Sequence, residues 1–386
     1  MSEQNEDLET KYKKAARTIL KAGMLPLPYN DTFIQILKYY LDEEDLDFIA
    51  NFKSRSSMSM EQLLSKSKLP EAEIVRKGNK LAKKGFIFNQ PSSSGVMVYR
   101  LLPIVIIGTF EYTFMTKLPK DSEKRKRIAE LAKLYDKYMQ EFANQIQETY
   151  EGAVEVFRKA PPTDRTLPLT TREDGESIEI AMNEEVQATE QILPAKTVED
   201  IIRKYEDIGV GYCFCRQYRS TLGEPCKFHA PMEVCFTFGK SARHVIEQGF
   251  ARQVSQEQAL KILEETEKAG LVHKAFHNSN DISKPENSIC NCCIDCCDTF
   301  NLWRMGATPI INTTNYLSEV IIDKCTACGT CAERCPMGAI SVSDYALVDK
   351  NLCIGCGICA KVCPENAIRL LEGMRTVFVP PPKIKQ

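Results

Sequence analysis

The chain has 386 residues, of which 43% are hydrophobic and 26% are charged, as is ordinary for a soluble globular protein with room for two or three domains. Its formal net charge of −2 shows none of the overall basicity typical of nucleic-acid binding. The polar first thirty residues predict no secretory signal, and the apolar run 101–110 is too short for a membrane span and contains Pro103. We therefore expect a cytoplasmic protein in which 101–110 forms a core strand.

The first hundred residues predict two helices followed by a β-hairpin. A short helix ends near Ser67, a Leu-Pro turn follows, and a second amphipathic helix runs over about 71–84. The segments FIFN and VMVYRLL then alternate as two strands around the turn PSSSG. This order of elements predicts a winged-helix-like domain over residues 1–110.

The second of these helices has a basic outer side, which carries Arg76, Lys77, Lys80, Lys83 and Lys84. A helix that reads DNA would show this pattern, and so would a solvated face that docks an acidic redox protein. Nucleic acid and a partner protein both remain possible ligands of this face.

The sequence up to the first cysteine predicts a helical segment, a linker and a further helix. Residues 111–158 contain a long amphipathic pattern that predicts helix, whereas residues 159–191 are rich in proline, threonine and acidic side chains and predict an extended linker. A helical pattern over 192–209 begins a cysteine-rich α/β domain that we place at 192–312. The chain contains neither G-x-G-x-x-G after a strand nor G-x4-G-K-[ST], so we expect no flavin, nicotinamide or ATP site.

Seventeen cysteines occur, and none precedes Cys213. In a chain without an export signal, clustered cysteines indicate metal or redox chemistry. Nine lie in the middle domain, as C-x-C-x10-C-x8-C and ICNCCIDCC: Cys213, Cys215, Cys226, Cys235, Cys290, Cys292, Cys293, Cys296 and Cys297. They predict one or two further [4Fe–4S] centres, either one on each stretch or one shared. The alternatives are a zinc site with the C-x2-H spacing of Cys226 and His229, or buried or disulfide-bonded cysteines.

Adjacent cysteines point in different directions, so the two pairs in ICNCCIDCC are not expected to face one cluster together. One member of each pair, with Cys290, is expected to serve one centre. The other members are expected to complete the site begun at Cys213 and Cys215. A helix that starts at Ser255 and a strand after it, over 255–276 in all, would fold the second stretch back over the first.

Three single residues near these cysteines are candidates for supporting roles. Arg216 follows Cys215 directly, and it is a candidate to tune a nearby cluster by charge and hydrogen bonding. His273 is either a ligand or a buried structural histidine. Glu233 is expected to cap an element or form a salt bridge.

The C-terminal segment repeats with a period of 28 residues, as DKCTACGTCAERCPMGAI over 323–340 and NLCIGCGICAKVCPENAI over 351–368. Each copy contains C-x2-C-x2-C-x3-C-P. Its first three cysteines lie on one tight loop, and its proline ends the turn after the fourth. The pattern resembles the bacterial two-cluster ferredoxin, in which the fourth cysteine of each run binds the other cluster. The resemblance predicts such a domain over 313–372 and a tail over 373–386.

The resemblance also implies two ligand sets. One [4Fe–4S] cluster would bind Cys325, Cys328, Cys331 and Cys363, and the other would bind Cys353, Cys356, Cys359 and Cys335. No histidine or aspartate replaces a ligand, so both clusters are expected to be cubanes that move one electron each at low potential. Zinc knuckles, the alternative, rarely pack four cysteines so closely before a C-P step.

Together these patterns predict an α+β multidomain chain, with a winged-helix-like N-terminal domain, a cysteine-rich middle domain and a C-terminal two-cluster ferredoxin domain. The order C-x-C-R, E-x-C-F, I-C-N-C-C and two ferredoxin runs is similar to a group of anaerobe proteins described only as [4Fe–4S] dicluster proteins. That likeness implies an electron-transfer subunit that relays single electrons to or from a partner oxidoreductase in anaerobic metabolism. The alternatives are an iron–sulfur redox-sensing DNA-binding regulator and a catalytic iron–sulfur reductase with an open site in 213–297.

Overall fold

The structure is a computed structural model, and it describes residues 3–92, 94–162, 164–182, 197–278 and 281–384. Its strands form sheets of three, nine and two strands. Helices and strands alternate along most of the described chain, so the predicted mixture of helix and sheet is confirmed.

The three-stranded sheet lies in the N-terminal part with five helices. The helices are α1 (Glu3–Ala22), α2 (Asp31–Tyr40), α3 (Glu43–Ile49), α4 (Met60–Ser67) and α5 (Glu71–Lys83), and the strands are β1 (Ser57–Ser59), β2 (Ile87–Pro91) and β3 (Met97–Leu101). Antiparallel pairing places β3 between β1 and β2. Ser59 begins α4 with a capping box, and α5 buries Ile74, Leu81 and Ala82 in the core. The predicted helices and hairpin are present, while membership of the winged-helix class stays a prediction.

The basic side of α5 packs against acidic residues at the start of α3. The ion pairs are Lys77–Glu44 at 2.8 Å, Lys80–Asp42 at 2.7 Å, Lys84–Asp45 at 2.5 Å and Arg76–Glu44. Each such pair contributes little to stability where it is exposed. Together they neutralise, within the chain, four of the five basic residues predicted to face a partner.

The segment 101–110, predicted to be a core strand, is a turn that leads into a helix. Only its first residue belongs to β3, and α6 (Thr109–Met115) begins near its other end. The buried Glu111 carboxylate accepts hydrogen bonds from the backbone N–H groups of Ile106 and Gly108 at 2.7 and 2.9 Å. These bonds satisfy donors that a strand would have paired, and the proline in the segment has no N–H for a ladder. The strand prediction is wrong.

The helical segment predicted over 111–158 consists of three helices. They are α6, α7 (Ser122–Glu148) and α8 (Tyr150–Arg158). α7 packs against α2 through the stacked rings of Tyr138 and Phe33, whose centroids are 5.4 Å apart. Among the described residues, no helix combines the length and apolar character needed to cross a bilayer.

The nine-stranded sheet crosses the domain boundaries predicted after residue 158. Its strands are β4 (Asp164–Leu167), β5 (Ile180–Met182), β6 (Ile208–Tyr212), β7 (Glu233–Phe238), β8 (Arg252–Val254), β9 (Val272–His277), β10 (Glu286–Cys292), β11 (Ile310–Val320) and β14 (Ile368–Val379); β12 (Ile340–Val342) and β13 (Ala346–Val348) form the two-stranded sheet. The strand order is β5-β14-β11-β4-β9-β10-β7-β6-β8. The predicted linker 159–191 therefore supplies two strands, and the predicted tail 373–386 supplies the end of β14. Residues 183–196, which include the end of that linker, lie outside the described residues.

β4 runs through the middle of this sheet although two of its four residues are charged. It pairs in parallel with β11 and antiparallel with β9, and all four residues are buried. Lys274 lies 2.7 Å from Asp164, and Glu286 lies 3.2 Å from Arg165. Charges are tolerated in an interior when they are paired. This pairing is the physical reason why a polar stretch predicted to be a linker forms an interior strand.

Helices lie on both faces of the sheet, whereas the cysteines of its strands point to one face only. The remaining helices of this part are α9 (Val198–Lys204), α10 (Phe214–Thr221), α11 (Gly239–Glu247), α12 (Gln256–Lys268) and α13 (Asp298–Arg304). α12 begins at Ser255 with a capping box, as predicted. α9 and α12 share an apolar core with Ile289 of β10. Because side chains alternate along a strand, Cys290 and Cys292 point away from this core.

Candidate metal centres

The first cavity of the C-terminal segment is lined by four cysteines. They are Cys325, Cys328, Cys331 and Cys363, the set that the ferredoxin resemblance assigns to one cluster. The chain turns at Gly329, whose φ is +83°, before the short helix α14 (Thr330–Glu333). Backbone N–H groups of Ala346 and Ala367 donate to the sulfurs of Cys325 and Cys363 at 3.4 and 3.3 Å, a common arrangement around sulfurs that ligate iron.

The second cavity has the same construction with the roles of the two runs exchanged. It is lined by Cys353, Cys356 and Cys359 of the second run and Cys335 of the first. Gly357, with φ +76°, precedes α15 (Ile358–Lys361). The Ala339 N–H donates to the Cys335 sulfur at 3.2 Å. Each cavity is therefore closed by the fourth cysteine of the other run.

Two glycines allow the loop that carries Cys353, Cys356 and Cys359 to approach the neighbouring backbone closely. A Cβ on Gly357 would lie 2.7 Å from the carbonyl oxygen of Leu169, and one on Gly355 would lie 2.3 Å from that of Tyr316. The Leu169 N–H also donates to the carbonyl oxygen of Cys356 at 3.0 Å. The segment after β4 therefore packs against the loop that carries three cysteines of the second cavity, a role that its composition did not indicate.

The two cavities differ in their access to solvent. Cys328 in the first cavity is exposed, whereas Cys353, Cys356 and Cys359 in the second are buried. A redox partner can therefore approach the first cavity more closely than the second.

The nine middle cysteines fall into two groups in space. Six form a row in which each thiol interacts with the next, and we call it the six-thiol group: Cys235, Cys290, Cys292, Cys297, Cys215 and Cys213. β10 carries Cys290 and Cys292, and its pairing of Ile289 with Phe236 brings β7 and its cysteine alongside. Cys297 and Cys213 are the N-cap residues that directly precede α13 and α10. The two cysteine stretches are thus neighbours in space, because β10, which carries part of the second stretch, pairs with β9 on one side and with β7 on the other.

The other three thiols and one carboxylate form the Cys226 group: Cys226, Cys293, Cys296 and Asp295. Their potential ligand atoms all lie within 4.8 Å of one another. The two adjacent pairs of ICNCCIDCC split as expected, because Cys292 and Cys297 face one way and Cys293 and Cys296 the other. Cys293 and Cys296 were predicted to complete a site with Cys213 and Cys215. In the structure they lie beside Cys226 instead.

Arg216 brings a buried positive charge to both groups. Its side chain is 1% exposed, and Nη1 donates to the carbonyl oxygen of Pro231, whereas Nε and Nη2 have no hydrogen-bond partner among the described residues. Burial opposes its charge, but the thiols of Cys213 and of the Cys226 group outweigh burial and raise the pKa of Arg216. Buried donors without partners indicate that an acceptor belongs there. Cluster sulfides, which accept N–H hydrogen bonds, fit this position.

Lys274 supplies a second buried charge from β9. Burial opposes this charge, but Asp164, Cys292 and Cys297 outweigh it and raise the pKa of Lys274. Interactions with the Cys215 and Cys292 thiols lower the pKa of Cys297 well below its usual value, and Lys274 acts in the same direction. These surroundings therefore favour the thiolate form of Cys297, which is the form that binds metal.

The histidines and the glutamate singled out in the sequence lie away from the thiols. His273 is buried opposite Asn291, and its Nδ1 lies 2.6 Å from the Asn291 Oδ1, on the strand face opposite to Cys290 and Cys292. Glu233 forms the expected salt bridge, with Arg252 at 2.9 Å. His229 is exposed and lies outside the Cys226 group, so the zinc pair of Cys226 and His229, considered as an alternative, is not formed.

Sequence reasoning missed two residues of these sites. Asp295 stands between the two cysteine pairs of C-C-I-D-C-C, and its place inside a ligand run was an available signal. Lys274 gives no such signal, because its position depends on the pairing of β9 with β4 and β10.

Comparison with known families matches residues 319–341 and 346–369 to the 4Fe-4S binding domain. No curated protein and no solved structure matches the chain. The family match and the cysteine-rich regions define an iron–sulfur protein with the chemistry of electron transfer. More narrowly, residues 319–369 form a ferredoxin-like 4Fe–4S binding domain, as the repeat predicted.

Proposed function

We propose that the protein relays single electrons through three [4Fe–4S] clusters, to or from a partner oxidoreductase. The two ferredoxin ligand sets would hold two clusters, and the six-thiol group would hold the third. One observation carries the proposal: Cys215, Cys292 and Cys297 share a single apolar cluster with Cys353 and Cys356 of the second cavity. A relay needs neighbouring centres with no water-filled gap, and this packing supplies that contact.

Four of the six thiols are proposed as ligands of the third cluster: Cys213, Cys215, Cys292 and Cys297. Arg216 lies beside the first of these, and Lys274 lies beside the last two, so the buried positive charges flank this quartet. Cys235 belongs instead to a separate apolar cluster with Tyr112 and Val245. Cys290 lies between Cys235 and the quartet.

The protein's own residues set the conditions for transfer. A bound [4Fe–4S] cluster accepts and donates one electron at a time, at a potential set by charge, hydrogen bonds to sulfur and burial. Leu169, Ile354 and Met337 supply apolar walls around the second cavity and the six-thiol group. The N–H groups that donate to cysteine sulfur in the ferredoxin-like domain stabilise added negative charge there. Arg216 and Lys274 do the same in the middle of the chain.

Exposure supports an order for the relay. The exposed Cys328 makes the first cavity the point of exchange with a soluble partner. The buried second cavity is intermediate, and the six-thiol group is the inner end. Anaerobic metabolism as the setting, and the identity of the partner oxidoreductase, rest on the resemblance of the cysteine pattern alone.

A redox-sensing regulator is the second candidate, and the position of α10 is the observation that favours it. This helix carries Cys215, and its Gln217 side chain donates to the carbonyl oxygens of Phe114 and Thr116 at 2.5 and 2.7 Å. Phe114 packs in the same apolar core as Leu81 and Leu101, so a change at the six-thiol group would reach the winged-helix-like domain through this contact. The ion pairs on α5 weigh against DNA reading, because a recognition helix needs its basic residues for the nucleic acid.

Metal and sulfide counts on anaerobically purified protein test the relay. We expect about twelve irons and about twelve sulfides per chain, since each cubane contains about four of each, and uptake of three electrons in a reductive titration. About eight irons would leave the middle cysteines without a cluster and contradict the proposal. Salt-sensitive, sequence-specific retention on promoter DNA would favour the regulator, and co-purification with a flavin- or metal-containing oxidoreductase would favour the relay.

A further inference from the structure

The Cys226 group is smaller and tighter than any other set of thiols in the described chain. The Cys226 and Cys293 sulfurs are 3.6 Å apart, and the Asp295 Oδ1 lies 3.6 Å from the first and 2.7 Å from the second. Cys296 lies within the same 4.8 Å limit. Among the described residues, no three of the eight ferredoxin cysteines, and no three members of the six-thiol group, come this close together.

These distances suit one metal ion and do not suit a cubane. Around a tetrahedral zinc with Zn–S bonds of about 2.3 Å, two thiolate sulfurs lie about 3.8 Å apart. The four ligand sulfurs of a cubane bind four different irons, so they are spread more widely. The ferredoxin cysteines show that wider arrangement around their cavities, which makes them an internal reference for the difference.

The carboxylate of this group is held as a metal ligand would be. Asp295 Oδ1 faces the sulfurs, whereas Oδ2 accepts a hydrogen bond from the Lys227 N–H at 2.8 Å. Metal-bound carboxylates commonly have their second oxygen fixed by such a bond. The Lys227 amide directly follows Cys226, so the same loop supplies a thiol and orients the carboxylate.

The surroundings balance the charge that such a site would carry. Three thiolates, one carboxylate and a divalent cation sum to about two negative charges. Arg216 is buried beside Cys226, Cys293 and Cys296, and its Nε and Nη2 are the unpartnered donors described above. Arg304 donates to the carbonyl oxygen of Ile294, within the same loop. The two guanidinium groups supply two positive charges.

We propose that Cys226, Cys293, Cys296 and Asp295 bind a single divalent transition-metal ion, zinc or ferrous iron, separately from the iron–sulfur clusters. The ion ties the loop after α10 to the loop between β10 and α13. The two loops also touch the six-thiol group, because the Cys213 N–H donates to the carbonyl oxygen of Met232 at 2.6 Å and Cys297 ends the second loop. Asp295 and Cys296 line an open cleft with Lys227 and Arg304, which gives the ion a path of entry. This inference does not depend on the relay.

Metal analysis of the full chain, purified anaerobically with zinc and iron supplied, tests the proposal. We expect about one zinc per chain, or one iron in excess of sulfide, beside the clusters. Cys226→Ser should remove this single ion and leave cluster iron and sulfide unchanged. The matched control is Cys235→Ser, a buried cysteine of the six-thiol group outside the proposed ligands, which should keep the ion.

Asp295→Asn provides a second variant that keeps the shape of the site. It should weaken retention of the ion about 10- to 100-fold against a chelator. With cobalt in place of the native ion, thiolate-to-metal charge-transfer absorption should appear and should fall in Cys296→Ser. Loss of about four irons with four sulfides from Cys226→Ser, or the absence of any metal beyond cluster iron in the parent protein, would overturn the proposal.

Discussion

The two cysteine-rich regions of this protein hold their cysteines by different means. In the ferredoxin-like domain, each cavity takes three of its four cysteines from one short loop, and left-handed glycines set the loop's path. The six-thiol group draws on β7, β10 and the starts of α10 and α13. The first region depends on local backbone geometry, whereas the second depends on the correct pairing of a large sheet.

This difference makes the two regions separable by mutation, although they share an apolar wall. A change in a ligand should affect its own cluster. A change in the core behind β10 should affect the six-thiol group before the ferredoxin-like domain. Four substitutions test how far the separation holds.

The largest effect is expected from Cys297→Ser. Cys297 stands between Cys215 and Cys292 in the row of thiols, so its replacement should remove about four of about twelve irons and leave the ferredoxin clusters intact. Iron and sulfide counts with electron paramagnetic resonance of the reduced protein measure this. Cys235→Ser is the control and should keep all the iron. Loss of about eight irons from Cys297→Ser would show that the regions are not separable.

Ile289→Ala comes next. Ile289 is fully buried between β10 and the helices behind it, and truncation of a buried isoleucine costs about 2–5 kcal/mol. In anaerobic urea titrations, we expect the six-thiol centre to bleach at a lower concentration than in the parent protein. The matched variant Ile340→Ala, at a buried position in the ferredoxin-like domain, should instead affect the ferredoxin clusters. Identical behaviour of both variants would mean that one cooperative unit holds all the clusters.

Arg216→Gln is expected to change the reduction potential of the middle centre more than its iron content. Removing a buried positive charge disfavours the added electron, so the potential of the middle centre should fall by about 60 mV, which corresponds to about 1.4 kcal/mol for one electron. Redox titration followed by electron paramagnetic resonance resolves this shift. Arg216→Lys keeps the charge and should shift the potential less. If the potentials of the ferredoxin clusters shifted more than that of the middle centre, the proposed effect of Arg216 on the middle centre would be wrong.

The smallest effect is expected from Lys80→Ala, far from both regions. Lys80 pairs with Asp42 and Glu44 on a partly exposed surface and with the buried Asp45, which would keep its pair with Lys84. Exposed pairs contribute about 1 kcal/mol or less. Chemical denaturation should show a loss within that limit, which shrinks as salt is added. Iron content and potentials should not change. A change in either would reveal coupling between α5 and the metal centres.

The ferredoxin-like domain could be predicted from the sequence because its pattern is local. Ligands a few residues apart, glycines and a closing proline together describe one loop. The Cys226 group could not be predicted in the same way. Its members come from two loops whose contact depends on β9 and β10, and the relevant partner of Cys226 is the distant Cys293 and not the nearby His229.

The strand β4 shows a second limit of sequence reasoning. Asp164 and Arg165 are polar by any local measure, and their burial is acceptable only because Lys274 and Glu286 lie opposite. The turn at 101–110 is the reverse case. Its apolar residues predict a strand, but the Glu111 carboxylate on the following helix accepts the hydrogen bonds that its backbone N–H groups would donate to a neighbouring strand.

The place of β4 between β9 and β11 also bears on how the protein is made. The ribosome synthesises the chain from its N-terminus. β4 can therefore pair with β9 before β11 and β14 have been synthesised. Until those last strands arrive, one edge of β4 stays open and the wall between the six thiols and the ferredoxin-like domain is missing. We therefore expect the proposed inner cluster to gain its protection from oxygen only after β11 and β14 have been synthesised.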